Sequence, residues 1–183
     1  MTSLPSTAMR LTRLAPEHAA DYRAFMLRAY AEHTDAFTSS AGERALLPLG
    51  WWQARLTPAI DADEMVFGAL LGTTIVGVAG LSFEKRDKAR HKANLFGMVV
   101  AGEAQGRGLG RQLVEMVLDH ARLRDGVRVV QLTVTEGNHA AEALYRRCGF
   151  VPFGVEPMAV RVGASYVNKI HMWCDLMKPV QRS

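Results

Sequence analysis

The sequence predicts a single mixed α/β domain. Its length suits one hydrophobic core, its short apolar strand-like runs alternate with helical stripes, and it has no internal repeat or linker. At 183 residues the chain is long enough to bury most of its unfolded surface around one core. With 49% hydrophobic and 22% charged residues it has the balance of a folded globular protein, not of a disordered or fibrous one.

Residues 1–8 are read as a loose leader, because Thr, Ser and Pro occur there without periodicity, and the domain is placed at 9–178. A first strand is expected near Arg10 to Leu14. From Pro16 to His33, Tyr22, Phe25, Met26, Ala29 and Tyr30 form one helical stripe, with Pro16 tolerated in the first turn. Thr34 to Gly42 reads as a loop, and a second helical segment, started or interrupted near Pro48, ends around Thr57. Met65 to Leu71 and Thr74 to Phe83 flank Gly72-Thr73 as a β-hairpin. A charged connection leads to the apolar strand Ala93 to Val100, where Gly97 suggests a bulge or a close backbone approach.

The strongest helix follows: Leu109, Leu113, Val114, Val117, Leu118 and Ala121 share one face, opposite Gln112, Glu115, Asp119 and Arg122. Val127 to Thr135 is a strand, and Asn138 to about Cys148 is a short helix stopped by Gly149. Two last strands run near Phe150 to Val160 and Tyr166 to Leu176.

Several function classes are disfavoured by composition. No apolar run approaches the ~18 residues that span a bilayer, and the start MTSLPSTAMR lacks the apolar stretch of a secretory signal, so a cytoplasmic protein off the membrane is expected. Cys148 and Cys174 read as small core residues, and no metal-ligand spacing occurs. The net charge of +4 rests largely on arginines 107, 111, 122, 124, 128, 146 and 147. It is compatible with a pocket for one phosphorylated ligand, and no aromatic or arginine stripe suggests a nucleic-acid face.

Chemistry is expected first at Gln105-Gly106-Arg107-Gly108-Leu109-Gly110-Arg111, between a buried strand and the strongest helix. A helix N-terminus offers unpaired N–H groups and the positive end of its dipole, and glycines admit phosphate oxygens close to the chain. Arg107 and Arg111 can add charge-assisted bonds. Neither the dinucleotide fingerprint nor the Gly-Lys-Ser/Thr triphosphate loop is present.

Met98-Val99-Val100, a short acidic loop, then Gln-x-x-Gly-x-Gly resembles the central motif of the GCN5-related N-acetyltransferases (GNAT). NHAAEALYRRCGF, Asn138 to Phe150, resembles that family's next landmark. The resemblance is detailed over about residues 93 to 153. It implies a central mixed, twisted sheet of about seven strands with the fourth and fifth splayed, flanked by about four helices. It implies acetyl-CoA as co-substrate, no metal, and transfer of the acetyl group to a primary amine of a small molecule or peptide by direct attack in a ternary complex.

By motif position, the pantetheine arm would enter between Ala93 to Val100 and Val127 to Thr135. Backbone groups of Met98, Val99 and Val100 would bind it, with the Met98 N–H facing the acetyl carbonyl oxygen. The pyrophosphate would sit on Gln105 to Arg111. Asn138 would contact the cofactor as well as cap its helix. Tyr145 matches the usual proton donor to the leaving thiolate, a core aromatic being the alternative. The glutamate that some members carry before the turn falls at Asn94, which cannot accept a proton. Glu84, His91 or Glu136 could act instead, directly or through water, or no dedicated base exists.

An acceptor pocket is expected from the first two helices, their loop and the last strands, with Trp51 or Trp52, Tyr166, Lys169 and His171 as candidate lining. Alternatives with the same fold are an acyl-CoA-binding sensor without turnover and a protein lysine or N-terminal acetyltransferase. Cys148 has no His in its immediate run and is disfavoured as a nucleophile. Dimers are common in the family, but nothing in the chain fixes an interface.

Overall fold

The computed structural model describes residues 8–178, so the expected leader lies outside the described residues except for Ala8. Seven strands form one sheet: β1 (Met9–Arg13), β2 (Glu64–Leu71), β3 (Thr74–Phe83), β4 (Lys92–Val100), β5 (Val129–Thr135), β6 (Val151–Val162) and β7 (Ser165–Asp175). Their order is β1-β2-β3-β4-β5-β7-β6. Every neighbouring pair is antiparallel except β4 and β5, which are parallel.

Five α-helices are described: α1 (Ala19–Glu32), α2 (Ala41–Ala45), α3 (Leu49–Ala54), α4 (Leu109–Arg122) and α5 (His139–Arg147). The expected second helix is therefore two short ones, because Pro48 enters in extended geometry and supplies only the N-cap of α3. Pro16–His18 forms a 3-10 turn ahead of α1. Ser40 starts α2 with a reciprocal capping box, its hydroxyl accepting from the Glu43 N–H at 3.2 Å while the Glu43 carboxylate accepts from the Ser40 N–H at 2.8 Å.

Helices cover both faces of the sheet, which explains why β2 reads as an unbroken apolar run. Side chains alternate along a strand, so Phe67 and Ala69 join the core under α4 and α5 while Val66 and Leu70 join the core under α1 and α3. Gly80 permits the tightest contact beneath β4, since a Cβ there would lie 2.4 Å from the Phe96 ring.

The feature that positions the site is a failure of pairing. β4 and β5 are in register only at Lys92↔Val129, Ala93↔Val130 and Asn94↔Gln131, and beyond those residues the two strands diverge. On its other side β4 carries a bulge, the register with β3 jumping from Val78↔Val99 to Gly80↔Phe96. Gly97 sits in this bulge with φ of 59°, a conformation natural to glycine, so Gly97 and Met98 have no register partner on either neighbour.

Candidate active site

The divergence opens a cavity of about 270 Å³. Leu95, Phe96, Gly97 and Met98 of β4 form one wall, and Thr133, Val134 and Thr135 of β5 form another. Asn138, Ala141 and Tyr145 of the α5 segment line a third side, and the remaining wall carries Tyr30, the 36–39 loop, Arg44, Arg55 and Lys169. Met98 thus stands in the cavity with its backbone outside both strand ladders. Val99 and Val100 continue β4 past it, and the Val100 carbonyl accepts from the Gln105 side-chain amide at 3.1 Å.

At the end of β4 the chain passes through a 3-10 turn, Gly102–Ala104, into the glycine loop. Gly108 is the N-cap of α4 at φ 73°, ψ 5°, and makes no side-chain cap bond. The first amide of α4 to bond back is that of Gln112, to the Gly108 carbonyl at 3.1 Å; those of Leu109, Gly110 and Arg111 find no acceptor among the described residues. Gly106 and Arg107 are exposed beside them. Leu109 anchors this turn in the core, and Gly110 packs between Met98 and Leu144. Arg107 has no ion pair among the described residues, and Arg111 holds Glu115 at 2.8 Å in an exposed i,i+4 contact of small worth that an anion can displace. The turn thus presents unspent backbone donors at the positive end of a helix.

Tyr145 is buried edge-on against Phe150, ring centroids 5.9 Å apart, and its hydroxyl has no hydrogen-bond partner among the described residues. Burial, and secondarily Cys148, pushes its ionisation above the ordinary phenol range, so the group at the cavity is a neutral O–H. Asn138 accepts from the Ala141 N–H at 3.1 Å as the N-cap of α5 while also lining the cavity. Cys148 is buried away from it, and burial pushes its thiol up to about 11, which keeps it an unreactive thiol near neutral pH.

No candidate base lines this cavity. Asn94 lies where β4 still pairs with both neighbours, Glu84 and His91 are at the ends of the β3–β4 connection, and Glu136, one residue past Thr135, accepts from the Asn168 side chain at 2.8 Å. Of the expected pocket residues, Lys169 lines the cavity. His171 faces Glu156 at 2.9 Å, Tyr166 is exposed, Trp52 is core, and half-buried Trp51 stands behind Arg44 and Arg55. Arg44, Arg55, Phe37 and Thr135 were missed by sequence reading. The one available signal was the spacing of Arg44, Trp51 and Arg55, which would share a helical face, and the break at Pro48 hid it.

Lys169 ties the loop after α1 across the sheet. Its ammonium donates to the Ala36 carbonyl at 2.8 Å, the Asp35 carbonyl at 3.3 Å and the Thr135 hydroxyl at 2.8 Å, and that hydroxyl donates to Asp35 at 2.7 Å. Burial lowers the lysine's pKa, and the more distant Asp35 and Glu156 carboxylates offset this in part. Lys169→Met preserves the stem but strands these acceptors. It is expected to destabilise the protein by about 1–3 kcal/mol in chemical denaturation. Because the charged form is disfavoured in the folded state, wild-type stability should rise with pH in the window between the lowered pKa and ~10.4, and the variant should lose that rise.

Comparisons with known proteins agree with this geometry. A model described as the acetyltransferase (GNAT) family matches residues 26–150. An N-alpha-acetyltransferase, RimI, of Mycobacterium tuberculosis is 38% identical over 99 residues, 54% of this chain and 59% of its own length. The chain spans less than two thirds of the curated relatives it matches first. Among solved structures, an acetyltransferase of the GNAT family from Streptococcus pneumoniae superposes with a TM-score of 0.82 at 26% identity, covering 91% of this chain and 98% of that one. A putative acetyltransferase from Salmonella typhimurium, solved with its cofactor acetyl-CoA, gives 0.76 at 21% identity over 94% and 96% of the two chains, a likeness of fold.

Proposed function

The chain belongs to the GNAT acetyltransferase family, and from that premise we propose that it is an acetyl-CoA-dependent N-acetyltransferase acting by direct attack of a primary amine in a ternary complex. The observation that carries the reading is the opening of β4 from β5 onto Met98 and Tyr145, within one strand's length of an α4 N-terminus whose amides are unspent.

Acetyl-CoA supplies a thioester carbonyl open to amine attack. The residues present fit it: the Gly106 to Arg111 turn holds its pyrophosphate by backbone N–H groups with Arg107 and Arg111, and β4 from Met98 to Val100 offers backbone to its pantetheine arm. The Met98 N–H, outside both ladders, donates to the carbonyl oxygen as negative charge grows there. Tyr145 donates its proton to the departing sulfur. Asn138 contacts the pantetheine amides. With no carboxylate or histidine lining the cavity, the amine loses its proton to water before it attacks.

No described helix is long and apolar enough to cross a membrane, and no group of three or more potential metal ligands occurs among the described residues. We place the enzyme in the cytoplasm with no nucleic-acid partner. A homodimer would use the exposed apolar side chains Val151, Phe153 and Val155 of edge strand β6.

Calorimetric titration with acetyl-CoA, followed by amine pools assayed for release of free CoA, tests the reading. Micromolar binding and turnover on an amine are expected. Binding without turnover on any pool points to an acyl-CoA sensor, and no binding overturns the cofactor assignment.

A further inference from the structure

The cavity wall away from α5 has an uneven charge. Its lining includes Arg44, Arg55 and Lys169 and no aspartate or glutamate. Three cations facing one space, of which only Arg55 has a carboxylate partner and that one outside the lining, make it favourable for an anionic ligand to enter. Their commitments differ. All three Lys169 donors are taken by the Asp35 and Ala36 carbonyls and the Thr135 hydroxyl, so it contributes field but no free bond.

Arg55 shares one terminal nitrogen with Glu64 at 3.3 Å and lies 4.6 Å from the Trp51 ring and 4.9 Å from the Phe96 ring. Arg44 lies 4.9 Å from the same Trp51 ring, with no ion pair among the described residues and its Nε buried without a partner. The nearest carboxylate in sequence, Glu43, is engaged with Ser40. Aromatic faces thus hold both guanidiniums in place; Arg44 keeps the fork that takes a carboxylate by two parallel bonds, while Arg55, engaged with Glu64 at one terminal nitrogen, adds its remaining donors.

Position supports the same end. Phe96, which Arg55 covers, is two residues before Met98 on β4, just across the Gly97 bulge, and both residues line the cavity. Within that space one small molecule can place an anion on the arginines and an amine at Met98. Ala36, held by the Lys169 ammonium, lines the same space, and a cavity of about 270 Å³ suits an acceptor of amino-acid size.

We infer that the acceptor is a small primary amine bearing a carboxylate, such as a free amino acid, with the carboxylate held by Arg44 and Arg55 and the amine directed to Met98. This rests on the N-acetyltransferase reading above. A polyamine, whose ammonium groups would meet three cations and no lining carboxylate, is disfavoured by the same charge pattern.

The test uses the full chain with saturating acetyl-CoA, assaying CoA release with the twenty amino acids, their carboxamides, and spermidine. The expected result is a kcat/KM for at least one amino acid that exceeds its carboxamide's by about tenfold or more. Arg44→Gln should collapse that ratio chiefly through KM, and Arg44→Lys should restore it in part. Acetyl-CoA affinity by calorimetry verifies that each variant is folded. Equal turnover of amino acids and carboxamides, preference for spermidine, or an unchanged ratio in Arg44→Gln overturns the carboxylate assignment and leaves the enzyme reading standing. Acetyl-CoA binding with no turnover across the panel or wider amine pools overturns both.

Discussion

Gly108→Glu is expected to lower acetyl-CoA affinity at least a hundredfold while leaving a folded protein. Two effects act together. Gly108 caps α4 in the left-handed region, at φ 73°, where an L-residue costs about 1–2 kcal/mol. A Cβ at this position meets nothing closer than the Gln112 side chain at 3.8 Å, so the free protein has room for it and should lose only a few degrees of Tm. The larger effect is electrostatic. The substitution puts a carboxylate where the unspent amides of Leu109, Gly110 and Arg111 would receive phosphate, so it occupies the donors and repels the incoming anion. Gly108→Asn separates the two, because asparagine tolerates this backbone region and carries no charge. Calorimetry should find the Asn variant intermediate and the Glu variant without measurable heat. Wild-type affinity in the Glu variant would mean that the pyrophosphate lies elsewhere.

This turn was legible in the sequence because its signals are local: glycines, two arginines and the start of a strongly amphipathic helix all fall within a few residues. The same holds for α4, whose apolar face at Leu109, Leu113, Val114, Val117, Leu118 and Ala121 is buried as its period required. The expected bulge at Gly97 is present for a similar reason, since a glycine inside an apolar strand has few other uses. What stayed hidden depends on packing between distant segments. Arg44 and Arg55 reach one cavity with Met98 only because α2 and α3 fold back over β4, and each alone reads as a solvated helix charge. Lys169 was noticed as a polar residue on a strand, but its bonds span more than a hundred positions to Asp35 and Ala36, and no spacing within β7 announces them. The base candidates failed in the opposite way. Glu84 and His91 have suitable chemistry but lie at the paired end of β4, away from the divergence that starts beyond Asn94, and Glu136, next to Thr135 of the cavity wall, is engaged by the Asn168 side chain.

That vacancy concentrates the proton chemistry on one group, and Tyr145→Phe is therefore expected to lower kcat by about a hundredfold or more, the scale of a lost general acid. Binding of acetyl-CoA and the acceptor KM should change little, because phenylalanine keeps the ring that packs edge-on against Phe150 at 5.9 Å. Stability near neutral pH should also hold, since the hydroxyl gives up no hydrogen bond among the described residues. The pH dependence has a definite sign. Burial raises the Tyr145 pKa, so the proton donor stays loaded and wild-type kcat should show no fall from its ionisation below pH ~10. The same shift stabilises the fold fully below the unfolded phenol pKa and is lost as pH rises toward the folded value, a loss shared with Tyr22, which burial pushes up to about 12. Tyr145→Phe should consequently denature less steeply with alkali than wild type while turning over far more slowly at every pH. A variant with wild-type kcat would show that the leaving thiolate takes its proton from water, leaving Tyr145 as a wall of the cavity.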